Sequence, residues 1–150
     1  MDTYYRPTRA EISLDALSRN IAAFRRALAP GTKLMASVKA NAYGHGAVEI
    51  ARESVSAGAD MLGVAFLDEA VQLRRGGIEA PILVLGYVPP EGFSVARELD
   101  ISVAMFREDA LEAAARPGTR PLRVHVKVDT GMGRLGVLPE EAVRFVERAM

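Results

Sequence analysis

The chain has no cysteine, no tryptophan and only two histidines, His45 and His125. Without cysteine there is no disulfide framework, no thiolate metal site and no thiol nucleophile. Two histidines are too few for a histidine-rich metal centre, so no metal is expected. An excess of charge is also missing, because 19 Lys and Arg balance 19 Asp and Glu. That removes the basic field used to hold nucleic acid, and equally an acidic one. No apolar run reaches the roughly 20 residues that a membrane helix needs. The first thirteen residues carry Asp2, Arg6, Arg9 and Glu11 around no apolar stretch, so no signal peptide is expected there. Together these absences fit the cytoplasm, with neither nucleic acid nor membrane as partner.

What remains is an ordinary globular composition, 49% apolar and 25% charged over 150 residues. That suffices for one core and one domain. Short apolar runs alternate with amphipathic stretches. Leu14, Leu17, Ile21, Phe24 and Leu28 share a helix face, which Ser13 or Asp15 can cap and Pro30-Gly31 ends. Strands are predicted over Lys33 to Val38, Met61 to Phe66, Ile82 to Leu85 and Leu122 to Val128, with a weaker one over Ile101 to Met105. Helices are predicted from His45 or Gly46 to Ala57, Leu67 to Arg75, Pro90 to Leu99, Arg107 to Ala115, and Pro139 to Met150. Within the fourth of these predicted helices counted from Leu14, Phe93, Ala96 and Leu99 form the expected buried face. Five strand-helix units after a leading helix indicate an α/β fold with parallel strands.

Two closures are open to such a chain. A length of 150 residues favours an open doubly wound sheet, because a complete barrel needs about 250. The strand faces favour a barrel. Leu34, Ala36 and Val38 alternate with Met35, Ser37 and Lys39; Val124, Val126 and Val128 alternate with His125, Lys127 and Asp129. One face is wholly apolar and the other partly polar, as outer helices and a lined barrel interior require.

Lys39 ends an apolar run, Leu34 to Val38, and Ala40-Asn41-Ala42-Tyr43-Gly44-His45-Gly46 follows at once. Active sites of α/β folds gather at the carboxyl ends of strands. Glycines there let the backbone approach a ligand. A lysine shielded from water is a candidate nucleophile toward a carbonyl. Taken alone, a lysine at a strand end is more often a surface lysine where the strand meets solvent. Gly131-Met132-Gly133-Arg134-Leu135-Gly136 satisfies the dinucleotide fingerprint literally. It lies on the fifth predicted strand, however, and its acidic ribose ligand would fall at or beyond residue 150.

Val38 to Gly46 resembles the cofactor-lysine segment of the alanine racemases. Lys127-Val128-Asp129-Thr130-Gly131-Met132-Gly133-Arg134-Leu135-Gly136 is similar to the family's second signature. The resemblance implies a (β/α)8 TIM-type barrel, here its first five strand-helix units. Residues 1–150 would be the N-terminal portion of a barrel domain that binds pyridoxal 5'-phosphate, without the later strands and the C-terminal β domain. It implies racemisation of L- and D-alanine through a Schiff base on Lys39. Tyr43 would contact the cofactor and help hold its phosphate. Arg134 would meet the cofactor's phenolic oxygen and the substrate carboxylate. Leu85 would touch the ring, or is an ordinary core leucine. Lys127 matches a lysine that is carbamylated in many members, and Asp129 on the same face could neutralise it instead. Asn41 and His45 could simply stabilise the loop. A homodimer is implied at full length, with the opposing acid/base on a tyrosine of the other subunit's C-terminal domain. Tyr4, Tyr5 and Tyr87 lie outside that tyrosine's context, so this chain alone is expected to be inactive. A racemase for another amino acid such as serine, a related decarboxylase, and a non-catalytic pyridoxal-phosphate barrel protein are the neighbouring readings.

Overall fold

Ser13 starts the first helix: its hydroxyl accepts the Ala16 N–H at 3.2 Å, and α1 (Leu14–Ala27) follows. Asp15 therefore sits in the first turn, where the helix dipole favours an acid, and is not the cap. The computed structural model describes residue 5 and residues 7–118 and 120–150. Asp2, Tyr4 and Arg6, named above, lie outside the described residues. Of the predicted apolar face of α1, Ile21 is buried and Phe24 is largely exposed.

Five parallel strands form one sheet: β1 (Met35–Ser37), β2 (Met61–Val64), β3 (Ile82–Val84), β4 (Ile101–Met105) and β5 (Val124–Val126). Their spatial order is β1-β2-β3-β4-β5, the order of the chain. A doubly wound sheet reverses direction at a switch point. This one never does, so the winding is that of a barrel, with the sheet open between β1 and β5. The length argument for an open doubly wound sheet is thereby corrected.

Register sorts the side chains into two faces, because laterally paired residues point the same way. Ala36, Leu62, Ile82 and Ile101 pair in one row, and Val64, Val84, Val103 and Val124 in another. These rows, with Val38 and Met105, join the core beneath the helices. The opposite face carries Met35, Ser37, Gly63, Leu83, Ser102, Ala104 and His125. The alternation read in the first and fifth strands thus holds.

The connecting helices are α3 (Ala47–Ser56), α4 (Leu67–Arg75), α5 (Phe93–Glu98), α6 (Glu108–Ala114) and α7 (Ala142–Ala149). Proline at the first position winds Pro90–Gly92 and Pro139–Glu141 into tight 3-10 turns before α5 and α7. Phe93 and Ala96 are buried as expected. The strand expected to be weak, β4, is instead the longest and is buried at every residue. Ser102 had diluted its apolar run, yet β4 lies between β3 and β5. The outer strands β1 and β5 are shorter than expected. Beyond β5, a bridge between Val128 and Val137 continues the pairing and closes the intervening residues into a loop.

Candidate active site

Lys39 leaves the carboxyl end of β1 and opens a helical turn, α2 (Lys39–Tyr43), of unusual hand. Ala40, Asn41, Ala42 and Tyr43 all have φ between 51° and 55°. Left-handed backbone costs about 1–2 kcal/mol at each non-glycine residue and rarely persists beyond one. Several contacts over-determine it here. The Ala42 N–H donates to the Val38 carbonyl at 2.9 Å, and the Gly46 N–H to the Asn41 carbonyl at 3.0 Å. The Asn41 side-chain oxygen accepts the Ala47 N–H at 2.8 Å, and so caps α3. His45 Nδ1 lies 2.7 Å from the Ala42 carbonyl. Asn41 and His45 therefore stabilise the loop, one of the roles open to them from sequence. Gly44 and Gly46 also have positive φ and return the chain to α3.

The left-handed turn folds Tyr43 back over the strand end. Its hydroxyl lies 3.2 Å from Ser37 Oγ, and its ring centroid 5.9 Å from Lys39 Nζ. Lys39 is half-buried, and among the described residues its ammonium has no hydrogen-bond acceptor. Beneath the turn, the Glu69 carboxylate accepts the Ala40 N–H at 2.6 Å. Glu69 lies outside both motifs read in the sequence.

Leu85 and Lys127 meet at the carboxyl ends of β3 and β5, where Lys127 Nζ donates to the Leu85 carbonyl at 3.0 Å. A Cβ added to Gly63 would come within 3.2 Å of both the Leu85 and the Met35 side chains, so the three share the inner face. Leu85 is half-buried there, on the site side of the sheet.

Asp129 does not pair with Lys127, as the shared face had suggested. Its carboxylate accepts the Gly131 and Gly133 N–H groups at 3.0 Å and that of Arg134 at 3.1 Å. These donors, Gly133 first, hold the Asp129 carboxyl below the usual aspartate range. The same loop excludes the dinucleotide reading. A Cβ on Gly136 would lie 2.4 Å from the Asp129 nitrogen, so that glycine serves close backbone packing. Val137 then bridges to Val128, beyond the end of β5, and α7 begins only at Ala142. A phosphate on Gly131 to Gly136 would have no helix N-terminus to meet. The Arg134 side chain is exposed on this loop.

The structure thus gathers Lys39, Tyr43 and Ser37 in one group and Leu85 with Lys127 in another. Arg134 hangs from a loop fixed by Asp129. All of these lie at the carboxyl end of the sheet. A cavity of about 420 Å³ opens beside Tyr43, Ser37, His45 and Asn20, toward α1. Another of about 430 Å³ lies around Arg97, Arg116 and Arg120, which precede or flank β5, and includes none of these residues.

Residues 12–150 match the family described as "Alanine racemase, N-terminal domain". The chain is 52% identical over 148 residues to the alanine racemase of Geobacillus kaustophilus, covering 97% of this chain and 38% of that protein. It is 51% identical to the alanine racemase of Geobacillus stearothermophilus over the same shares of each. Among solved structures, alanine racemase from Bacillus anthracis with bound L-Ala-P superposes with a TM-score of 0.90 at 39% identity, covering 98% of this chain and 39% of that one. Alanine racemase from E. faecalis gives 0.88 at 43% identity, over 96% and 41%. The chain therefore spans about 38% of the length of the curated relatives it matches. By sequence, by strand order and by the two signatures at the carboxyl end of the sheet, the chain belongs to the alanine racemase family, within the part formed by its N-terminal domain.

Proposed function

We propose that this chain forms the lysine-bearing part of an amino-acid racemase that uses pyridoxal 5'-phosphate, with alanine as substrate. One observation carries the reading most. Lys39 emerges from β1 on the inner face, with Tyr43 folded beside it and no acceptor for its ammonium among the described residues. The donor set fits the cofactor: an amine for covalent attachment, the Tyr43 and Ser37 hydroxyls, and the Lys127 and Arg134 cations for anionic groups.

Lys39 would be the attachment point and would move the proton on one face of the substrate. Tyr43 would help hold the phosphate. Leu85 would pack against the ring. Arg134 would meet the phenolic oxygen and the substrate carboxylate, with a fork that stays charged at any working pH. Lys127 supports it, and carbamylation would make it the anion that orients the guanidinium. When bound, the cofactor draws electrons from the substrate Cα and makes its proton acidic. Racemisation needs a second acid/base on the opposite face. That group, the later barrel strands, the C-terminal β domain, the homodimer and the cytoplasmic setting are inferred from the family.

The test is a pyridoxal phosphate titration of the purified chain, followed by borohydride reduction and peptide mapping. A visible absorption band should appear, and the reduced adduct should map to Lys39. Lys39→Ala should abolish both. A band of equal strength in Lys39→Ala would overturn the assignment.

A further inference from the structure

Glu69 is a glutamate at the third position of α4, an ordinary place for a helix-capping acid. One of its oxygens does that work, accepting the Phe66 N–H at 3.0 Å and the Ala65 N–H at 2.6 Å. Phe66 offers no acceptor in return, so only half of a capping box exists. The other oxygen leaves its own helix and accepts the Ala40 N–H at 2.6 Å, 29 residues away.

Ala40 is the first of the left-handed residues and directly follows Lys39. At the start of a helical turn the leading amides have no carbonyl behind them. Among the described residues the Ala40 N–H has no partner but Glu69. The peptide plane between Lys39 and Ala40 is rigid. Holding its N–H therefore fixes the rotation at Lys39, and with it the direction in which the lysine side chain leaves the backbone. The bond is charge-assisted and ties the loop after β1 to the loop after β2.

We propose that Glu69 is a positioning residue: it clamps the left-handed turn so that Lys39 points to the carboxyl end of the sheet. This rests on the reading of Lys39 as the cofactor lysine. Glu69→Gln keeps the shape but leaves one acceptor oxygen, turning an amide N–H₂ toward an N–H donor.

The test has two arms in the purified chain. Without cofactor, amide hydrogen exchange over Ala40 to Tyr43 should accelerate about ten-fold or more in Glu69→Gln. Exchange over Ile82 to Val84 and Ile101 to Met105 should stay unchanged. With pyridoxal phosphate, the concentration giving half of the visible Lys39 band should rise about ten-fold. Glu69→Asp keeps a capping carboxylate but withdraws it from Ala40, and should reproduce the local acceleration should the glutamine variant fail to fold. Unchanged exchange over residues 40–43, an equal rise throughout the sheet, or an unchanged half-saturation would overturn the proposal. If the unaltered chain shows no band at all, the cofactor reading fails, while the exchange arm still decides the clamp.

Discussion

Asp129 shows how one side chain can set the path of a loop. Three backbone N–H groups converge on its carboxylate, and they favour the charged form. Its folded-state titration is therefore depressed below the unfolded value. The stabilisation it lends the loop is complete above the ordinary aspartate range and fades as pH falls through the depressed value. Amide exchange over Gly131 to Arg134 should hence be flat from neutral pH down to that range, after correction for intrinsic rates, and accelerate below it. In Asp129→Asn the fast exchange should already be present at neutral pH, because a single carbonyl oxygen replaces two anionic ones. Exchange that is slow in Asp129→Asn would contradict this role. The sequence had suggested Lys127 as the partner, since Lys127 and Asp129 share a strand face. That inference needed the strand to continue, and it cannot once Asp129 turns to gather the loop's amides. Lys39, Tyr43 and Arg134 could be put forward from sequence because each sits in a string of fixed residue types. Glu69 was not, because its decisive contact joins two loops 29 residues apart.

Helices and strands were legible where pattern and punctuation agreed. α4 was read at its observed bounds. The left-handed turn after Lys39 could be read only as a glycine-punctuated bend. Ala40, Asn41 and Ala42 have no intrinsic preference for that hand as a group, and tertiary contacts impose it. Elements are also joined by features that no periodicity reveals. Arg74, at the end of α4, donates to the carbonyls of Leu99 at 2.9 Å, Ile78 at 2.7 Å, Ala80 at 2.8 Å and Asp100 at 3.0 Å. Burial holds its guanidinium below the usual arginine range, and Asp100 and Glu79 partly restore it. One planar fork thus links α4, the approach to β3 and the approach to β4. A lysine cannot span these carbonyls. Arg74→Lys should lower the unfolding free energy by about 1–3 kcal/mol, read as a lower denaturation midpoint at unchanged slope. An unchanged midpoint would show that the fork contributes nothing.

At the scale of the molecule, the sheet is open between β1 and β5, and Lys39, Leu85 and Lys127 lie at its carboxyl end; among the described residues, none matches the family's second acid/base. Tyr87 is engaged elsewhere, edge-to-face with Phe106 at 6.4 Å and under the Arg107 guanidinium at 5.2 Å. The 150-residue chain supplied with cofactor should therefore not interconvert L- and D-alanine, whereas one-sided exchange of the substrate Cα proton with solvent is the most it should achieve. Chiral chromatography of the reaction in deuterated water separates these outcomes, and robust formation of D-alanine would overturn the expectation. The fold class was legible from the strand-helix rhythm, and the choice of barrel winding from the polar alternation. Length argued the other way, because it speaks for a closed barrel and says nothing of an arc of one.

The unreversed strand order has a consequence for how the polypeptide comes to be folded. Met35 pairs with Met61, Leu62 with Ile82, Ile82 with Ile101 and Val103 with Val124. From β2 to β5, each strand docks on the one made just before it. Loop closure stays short at each step, which keeps the entropic barrier low for a parallel sheet. A nascent chain can thus add its units in the order in which they leave the ribosome, with the lysine turn fastened as soon as Glu69 has emerged.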